Sequence, residues 1–403
     1  MREAEFARVI TTNEKRLASF SILGLISLHT ATAYFLYVLI GEALPRFHIL
    51  ESGLMAVFCA LFFCGIFVLA VTNRYHHGKY RGEVIDHKYY KRKRKSKALR
   101  TADILGLLFV TVGLFGALHL LIFLGFSAFG VATWALAFAL LIISGLFGIT
   151  MGYHRYATHK AFECGKIFGC FLLFCGALSC QGTIKKWATE HLIHHARTEI
   201  EQEDPHTAVE GFVRSHIGWL VTPYKYNERI WKMFSSGFDS NKLFAIQEKF
   251  YRPLYMLSLF GPFFIVGSLG FVFGDGFAVT EGFKAVLLAG FFRVFLILHI
   301  TLSVNSVSHT WGSQPYEDRK TGDSTDVWML APFSFGENLQ NIHHLLPSVA
   351  SYWVKWYYPD ITGVLTQSLS WFNRFSFLKW IGLPYNLKLI RESEWRYISS
   401  HSS

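Results

Sequence analysis

The sequence predicts an all-α, polytopic membrane protein with about six transmembrane helices and a helical cap on the cytoplasmic side. Hydrophobic residues make up 52% of the chain and charged residues 17%, and the mean hydropathy is +0.29. Such a composition is too apolar for an ordinary soluble domain. A further observation locates the cap, because polar, histidine-rich stretches begin where long apolar runs end.

Six apolar runs are each long enough to cross a bilayer, which takes about 20 helical residues. They occupy residues 18–41, 52–72, 103–126, 129–150, 254–273 and 283–304. The stretch before the first run has acidic as well as basic residues and no small-residue cleavage pattern. We therefore expect a retained anchor there rather than a signal peptide.

Basic residues are concentrated in one segment between two predicted spans. Residues 73–100 contain eleven Lys and Arg against Glu83 and Asp86, in a chain with a formal net charge of +11. Basic loops beside spans stay in the cytoplasm and rest against anionic headgroups. We interpret this segment as a topology signal and exclude nucleic acid as a partner. Counting spans from it places residues 151–253 and 305–403 on the cytoplasmic face.

Histidines are concentrated after residue 150, where twelve of the eighteen lie. In WATEHLIHH, His191, His194 and His195 are spaced i, i+3 and i+4, so they share one helical face. Imidazole is a preferred ligand of iron, copper and zinc, and this face predicts a metal site. His154 and His159 of HRYATH are five apart, about 140° around a helix. They either flank a metal site or are surface histidines.

Two more polar groups follow the sixth predicted span. NSVSHTWG presents Asn305 and His309 four apart, and GENLQNIHH presents Gln340, His343 and His344 with the i, i+3, i+4 spacing. Eight imidazoles in all are too many for one ion, so we predict two metals. Neutral imidazoles leave divalent ions electron-poor, which suits dioxygen activation better than hydrolysis. These residues predict a dinuclear metal enzyme of the membrane and leave its reaction open.

Other residues of this region have weaker interpretations. Asp204 is predicted to orient a ligand imidazole from behind. For His206 and His216, a role in turns or packing is as good an interpretation as a role at the metals. The six cysteines contain no C-x-x-C and lie in or beside apolar runs, which favours packing over a disulfide or metal role.

The order of these motifs resembles that of the membrane-bound fatty acyl desaturases, specifically the stearoyl-CoA (delta-9) type. HRYATH, QGTIKKWATEHLIHH, DPH, SHIGW, NSVSHTWG and GENxxNxHHxxP follow one another between residues 103 and 350. The resemblance implies a four-helix membrane core with a cytosolic helical cap that holds a di-iron centre. It divides the chain into a two-span anchor with the basic loop at 1–102, a desaturase-like core at 103–350 and a C-terminal cytosolic cap or tail at 351–403.

Matched position by position, the resemblance implies eight iron-ligating histidines: His154, His159, His191, His194, His195, His309, His343 and His344. Asn305 matches an asparagine that is linked to metal through water. Gln340 replaces the first histidine of the third box and is interpreted as a tuned ligand, because the other ligands remain. Gln181, Trp187 and Thr301 match residues that shape a bent acyl tunnel. Glu337 is expected, like Asp204, behind the ligands.

The resemblance implies an oxidoreductase in which two irons activate dioxygen and two hydrogens leave a long-chain acyl substrate, either acyl-CoA or acyl-lipid. No catalytic residue apart from the metal ligands is expected, and the tunnel fixes the regiochemistry. Because the chain shows no haem, dinucleotide or iron–sulfur signature, electrons are expected from a ferredoxin, cytochrome b5 or rubredoxin-like donor. We favour a bacterial inner membrane over the endoplasmic reticulum as the location.

Departures from the pattern keep alternatives open. Thr189 and Leu192 stand where acyl-CoA members carry arginines, and Glu210 lies where they have a basic pair. Arginine suits phosphate recognition, so these changes weaken the case for a CoA headgroup. The alternatives are a related di-iron hydroxylase, a decarboxylase that forms terminal alkenes, and a non-catalytic membrane scaffold.

Overall fold

The computed structural model describes residues 12–78, 97–201, 203–221, 226, 228–273, 276–316, 322–356 and 358–401. Within these ranges the secondary structure is helical, with isolated β-bridges such as Glu163 with Tyr385. The all-α prediction is confirmed for this part of the chain. The helices are α1 Thr12–Ala43, α2 Ile49–Gly78, α3 Lys97–Gly125, α4 Gly130–Ile142, α5 Lys166–Ala177, α6 Ile184–Arg197, α7 Trp219–Val221, α8 Glu228–Asp239, α9 Lys242–Val272, α10 Val279–Ala285, α11 Arg293–Ser306, α12 Ala331–Ser334, α13 Gln340–Leu345, α14 Ile361–Phe372 and α15 Glu392–His401.

Two long, continuous helices, here called rods, each consist of consecutive helical segments. The π-helical stretch Ile143–Thr158 extends α4, and Val286–Phe292 joins α10 to α11, which ends in the 3₁₀ turn Val307–His309. Both rods therefore run past the apolar runs seen in the sequence and finish in histidine-containing turns. This continuity places His154, His159 and His309 at or near the ends of membrane-length helices.

Five helices of the described residues are long and apolar enough to cross a membrane: Leu23–Arg46, Ile49–Val68, Gly130–Thr158, Lys242–Val272 and Val279–His309. They coincide with five of the six predicted runs. The remaining run, 103–126, falls on α3, whose described apolar stretch is the shorter Gly116–Ala128. The count of six spans stays a prediction, and most of the basic loop, residues 79–96, lies outside the described residues.

Glycines let the membrane helices touch closely. A Cβ on Gly148 would lie 2.5 Å from the carbonyl oxygen of Cys175, and one on Gly290 would lie 2.2 Å from that of Leu259. Small residues at such crossings are a normal packing device between membrane helices. They hold the α4 extension against α5, and the α10–α11 rod against α9.

A buried arginine supplies hydrogen bonds to carbonyls beside a proline inside α9. Pro262 inside α9 has no N–H for the carbonyl of Ser258. Arg293 of α11 donates to that carbonyl at 3.0 Å and to the carbonyl of Leu178 at 2.6 Å. Because an unsatisfied carbonyl is costly in apolar surroundings, Arg293 has a structural role here.

Candidate metal centre

Four elements deliver the predicted ligands to one place. His154 lies on the α4 extension with His159 just beyond it, His191, His194 and His195 lie on α6, His309 ends the α10–α11 rod, and α13 carries Gln340, His343 and His344. All are buried or largely buried. The i, i+3, i+4 spacings therefore have the expected effect, since α6 and α13 each direct three side chains to the same side.

In the first group the ring nitrogens converge. His154, His159, His191 and His343 each offer a nitrogen within 4.8 Å of the others. The Nε2 atoms of His159 and His191 are 2.9 Å apart, and those of His154 and His343 are 3.1 Å apart. His195 joins them, with its Nε2 at 2.8 Å from that of His343 and 3.1 Å from that of His191.

A second group lies beside the first. His194, His309 and His344 also offer nitrogens within 4.8 Å of one another. The Nε2 atoms of His194 and His344 are 3.3 Å apart, and the side-chain nitrogen of Gln340 lies 3.1 Å from Nε2 of His344. Rotation of the terminal amide of Gln340 by about 180° exchanges its oxygen and nitrogen. Gln340 can therefore present its oxygen at the same point.

The two groups fit metal ions. Nitrogens about 2.1 Å from one ion lie about 3.0 Å apart at right angles and about 3.4 Å apart in a tetrahedron, which matches the distances above. Burial lowers the pKa of His159, His191, His194, His343 and His344 well below its ordinary value, and lowers that of His195 to about 3. The imidazoles are therefore neutral at physiological pH, the form that binds metal.

Acceptors behind the rings fix their orientation. Nδ1 of His154 lies 2.6 Å from the carboxylate of Glu337, and Nδ1 of His194 lies 2.9 Å from that of Asp204. Such contacts place the proton on Nδ1 and turn Nε2 toward a metal. Burial alone would raise the pKa of Glu337, yet His154 and Arg155 hold that pKa below its ordinary value. Both predicted acidic residues thus lie behind the ligands.

The structure adds orienting residues that the sequence did not reveal. Nδ1 of His343 lies 2.8 Å from the hydroxyl of Tyr352, and Nδ1 of His309 lies 3.3 Å from the carboxylate of Glu199. Arg155 donates to both carboxylate oxygens of Asp360 and contacts Glu337 at 3.4 Å. Glu199 sits in an acidic run directly after the histidine helix, which is the one signal that could have pointed to it.

His206 and His216, whose roles the sequence left open, lie in different surroundings. The ring of His206 lies 4.2 Å from that of His194, near Asp204, and burial lowers the pKa of His206 to about 4. His216 faces elsewhere, since its ring nitrogens lie 3.0 Å from His299 and 2.9 Å from the hydroxyl of Ser306. His206 therefore borders the second group, whereas His216 packs against α11.

A cavity borders both groups. Asn305, Thr301 and Trp187 line it, together with His154, His191, Glu337 and Gln340. The Gln181 side chain donates to the hydroxyl of Thr301 at 2.9 Å and accepts from the indole of Trp187 at 3.4 Å. The three predicted tunnel residues thus form one hydrogen-bonded set, and the rest of the cavity wall is mostly apolar.

Fold and site together define the class: an all-helical protein with membrane-length helices and buried histidine groups suited to metal ions. The chain belongs to the fatty acid desaturase family, because the family model described as Fatty acid desaturase matches residues 132–376. This confirms the family inferred from the motifs, and with it an oxidoreductase of lipid metabolism. The stearoyl-CoA type and the meaning of Gln340 remain proposals.

Similar curated proteins differ in the carrier of the acyl chain. The sn-1 stearoyl-lipid 9-desaturase of Anabaena variabilis is 31% identical over 65% of this chain and 86% of its own. The Delta-9 acyl-lipid desaturase 1 of Arabidopsis thaliana is 32% identical over 66% and 79%. The Icosanoyl-CoA 5-desaturase of Limnanthes douglasii is 29% identical over 70% and 71%. Their names cover lipid-linked and CoA-linked substrates.

Proposed function

We propose that this chain is a membrane desaturase that introduces a double bond into a long-chain fatty acyl substrate. The observation that carries the proposal is the pair of imidazole groups with converging Nε2 atoms at one end of a cavity whose wall is otherwise mostly apolar. Two irons held by these groups would supply dioxygen activation with electrons from an external donor protein. The reaction joins dioxygen, two electrons and two protons with two hydrogens of the acyl chain, giving one C=C bond and two waters.

The residues of the chain would hold the two irons and orient the acyl substrate. Five imidazoles, those of His154, His159, His191, His195 and His343, form the first metal site. His194, His309 and His344 form the second with Gln340, and Asn305 lines the cavity together with Gln340. The hydrogen-bonded set of Gln181, Trp187 and Thr301 fixes the path of the acyl chain past the metals. Regiochemistry then follows from which methylene pair is held there.

We favour a lipid-linked acyl chain over acyl-CoA. Thr189, at a position where CoA-dependent members carry arginine, is buried and donates to the carbonyl of Lys185 at 2.6 Å. Leu192, at the other such position, packs against the apolar cluster around Ile184 and Phe244. Neither side chain offers a donor for a phosphate, which arginine would bind in a bidentate manner.

The product profile tests the proposal. The chain is expressed in a host without an endogenous desaturase, and the fatty acids of each lipid class are analysed by mass spectrometry after derivatisation of double bonds. We expect a new internal double bond, first in membrane lipids. Hydroxy acids or terminal alkenes without an internal double bond would instead identify the related hydroxylase or decarboxylase. No new product together with no iron in the purified protein would identify a scaffold.

A further inference from the structure

The cavity beside the metal groups follows α11 away from His309. Along α11 its wall is formed by Asn305, Thr301 and Ile297, spaced by four residues on one helical face. Asn305 lies four residues before His309 of the second group, and Ile297 lies about 12 Å farther from His309 along the helix. Phe335 lines the cavity as well, and its ring packs with Ile297 and Leu146. Phe335 is thus at the end away from the metals.

The backbone of Phe335 is held in an unusual conformation. Its φ is +56°, in the left-handed region that bulky side chains rarely adopt. Its carbonyl accepts from the amide and from the hydroxyl of Thr362 at 3.1 and 2.7 Å, and the Thr362 hydroxyl also lies 2.7 Å from that of Thr150 on the cavity wall. Strained conformations of this kind persist where surrounding contacts enforce them.

The opposite helix makes room for the ring. A Cβ on Gly145 would lie 2.5 Å from the Phe335 ring and 2.8 Å from the side chain of Ile297. Beyond the ring, Leu141, Ile142 and Leu365 pack against the same cluster. The ring of Phe335 therefore fills the space between α4 and α11 and closes the cavity with apolar surface.

We propose that Phe335 is the floor of the acyl site and a specificity-determining residue, which limits how many carbons extend past the reacting methylenes toward the methyl end. The inference rests on the proposed function. The side chains that pack together at this end, those of Phe335, Ile297 and Leu146, are apolar, so a polar headgroup would be buried against them at high cost, whereas a methyl terminus would not. The acyl chain accordingly points its methyl end at Phe335 and its carrier toward the opposite side of the metals.

Substitution of the floor tests this directly. Phe335→Ala lengthens the cavity, and we expect the ratio of kcat/KM for a chain two carbons longer to that for the preferred chain to rise at least about tenfold. Phe335→Leu should give a smaller change in the same direction and guards against misfolding. Phe168→Ala is the matched control, because Phe168 is equally buried at 6% exposure but packs on α5 in a different cluster. It should leave the ratio unchanged.

Substitution of Gly145, which faces the Phe335 ring, should change the chain-length preference in the opposite direction. Gly145→Ala pushes the ring into the cavity and should lower the ratio, while Gly145→Ala combined with Phe335→Ala should fall between the two single variants because the new methyl occupies the vacated space. Thermal stabilisation of each purified protein by saturated acyl chains of graded length gives the same ranking without turnover. A wild-type protein that makes no double bond overturns the proposed function. An unchanged length ratio in Phe335→Ala and Phe335→Leu, in turnover or in stabilisation, overturns the role of Phe335 alone.

Discussion

At the scale of single residues, the side chain of Gln340 decides how the second group differs from the first. The first group has five imidazoles, whereas the second combines three imidazoles with an amide that lies 3.1 Å from His344. An amide oxygen is a weaker donor to a divalent transition metal than an imidazole nitrogen. The second ion should therefore be held less firmly.

Replacing Gln340 with histidine should strengthen this site. We expect Gln340→His to slow iron release to a chelator severalfold, because a ninth imidazole replaces the amide oxygen at the same point. Iron content of the purified protein is followed over time with a colorimetric chelator. Equal release rates and an equal product profile in both proteins would show that the position is permissive and that Gln340 is not a ligand.

Among the predicted ligands, His194 is held on both sides of its ring, since one nitrogen faces His344 and the other faces Asp204. We expect His194→Ala to reduce product to about 1% of wild type or less, because loss of only an orienting partner behind a ligand already costs about 10–100-fold. Iron per chain should drop by about one, while the protein stays in the membrane. His48→Ala, at an exposed histidine between α1 and α2, is the control. Retained activity in His194→Ala would contradict the ligand assignment.

At the scale of elements, α6 concentrates buried imidazoles and so makes the fold sensitive to acid. Burial, and then repulsion from His154 and His309, lowers the pKa of His195 to about 3, whereas an unfolded histidine titrates near about 6.5. Between these values the unfolded chain binds a proton that the folded chain does not. Stability therefore falls as pH drops through about 6.5 and stays constant above it.

This gives a measurable pH dependence. The melting temperature of metal-depleted protein should be constant above about pH 7 and should decline steadily from about pH 6.5 downward. Iron-loaded protein should release metal in the same range, because protons compete for the same nitrogens. The two are compared by thermal unfolding in detergent with iron measured in parallel. A melting temperature that is flat to about pH 5 would mean that these imidazoles are not buried as described.

The side chain of Asn341 ties the short helix α13 to preceding segments of the chain. The side chain of Asn341 donates to the carbonyls of Tyr316 and Ser324 and accepts from the amide of Tyr316, at 2.8 to 3.0 Å. A helix of six residues has little stability of its own, so these bonds position Gln340, His343 and His344. Asn341 is thus expected to position predicted ligands of both proposed metal sites.

Removing this side chain should disturb the metals rather than the membrane helices. Asn341→Ala leaves up to three buried polar groups unsatisfied, each at a cost of about 1–3 kcal/mol, and we expect iron content to fall well below half of wild type. Helix content by circular dichroism should hardly change. Asn373→Ala, at the end of α14, is the comparison. Full iron occupancy in Asn341→Ala would show that α13 is held by its other contacts.

At the scale of the whole molecule, features that repeat along the chain were predictable, and those that join distant segments were not. Apolar runs and i, i+3, i+4 histidines follow from local periodicity, so five spans and the ligand helices could be located. The positions of Phe335 and of Tyr352 depend on contacts between segments far apart in sequence, such as Thr362 with Thr150, which no local pattern encodes. Glu199 has a local signal, the acidic run directly after α6. The domain boundaries, with 351–403 as a separate cap or tail, stay a prediction, although Asp360 beyond that boundary binds Arg155 beside the metal ligands.

The packing of α1 bears on the predicted N-terminal anchor. Phe35 and Leu39 of α1 are fully buried against Phe129 and Phe292, and the ring of Phe35 lies 4.3 Å from that of Phe292. The matched family segment begins only at residue 132, yet α1 packs on the rod that ends at His309. We therefore expect Phe35→Ala to destabilise the fold by about 3 kcal/mol and to accelerate iron loss on heating, measured by thermal unfolding with iron release recorded together. Tyr37→Ala, at an exposed position of the same helix, should have little effect. Equal behaviour of the two variants would mean that α1 is a detached anchor and that the catalytic core is stable without it.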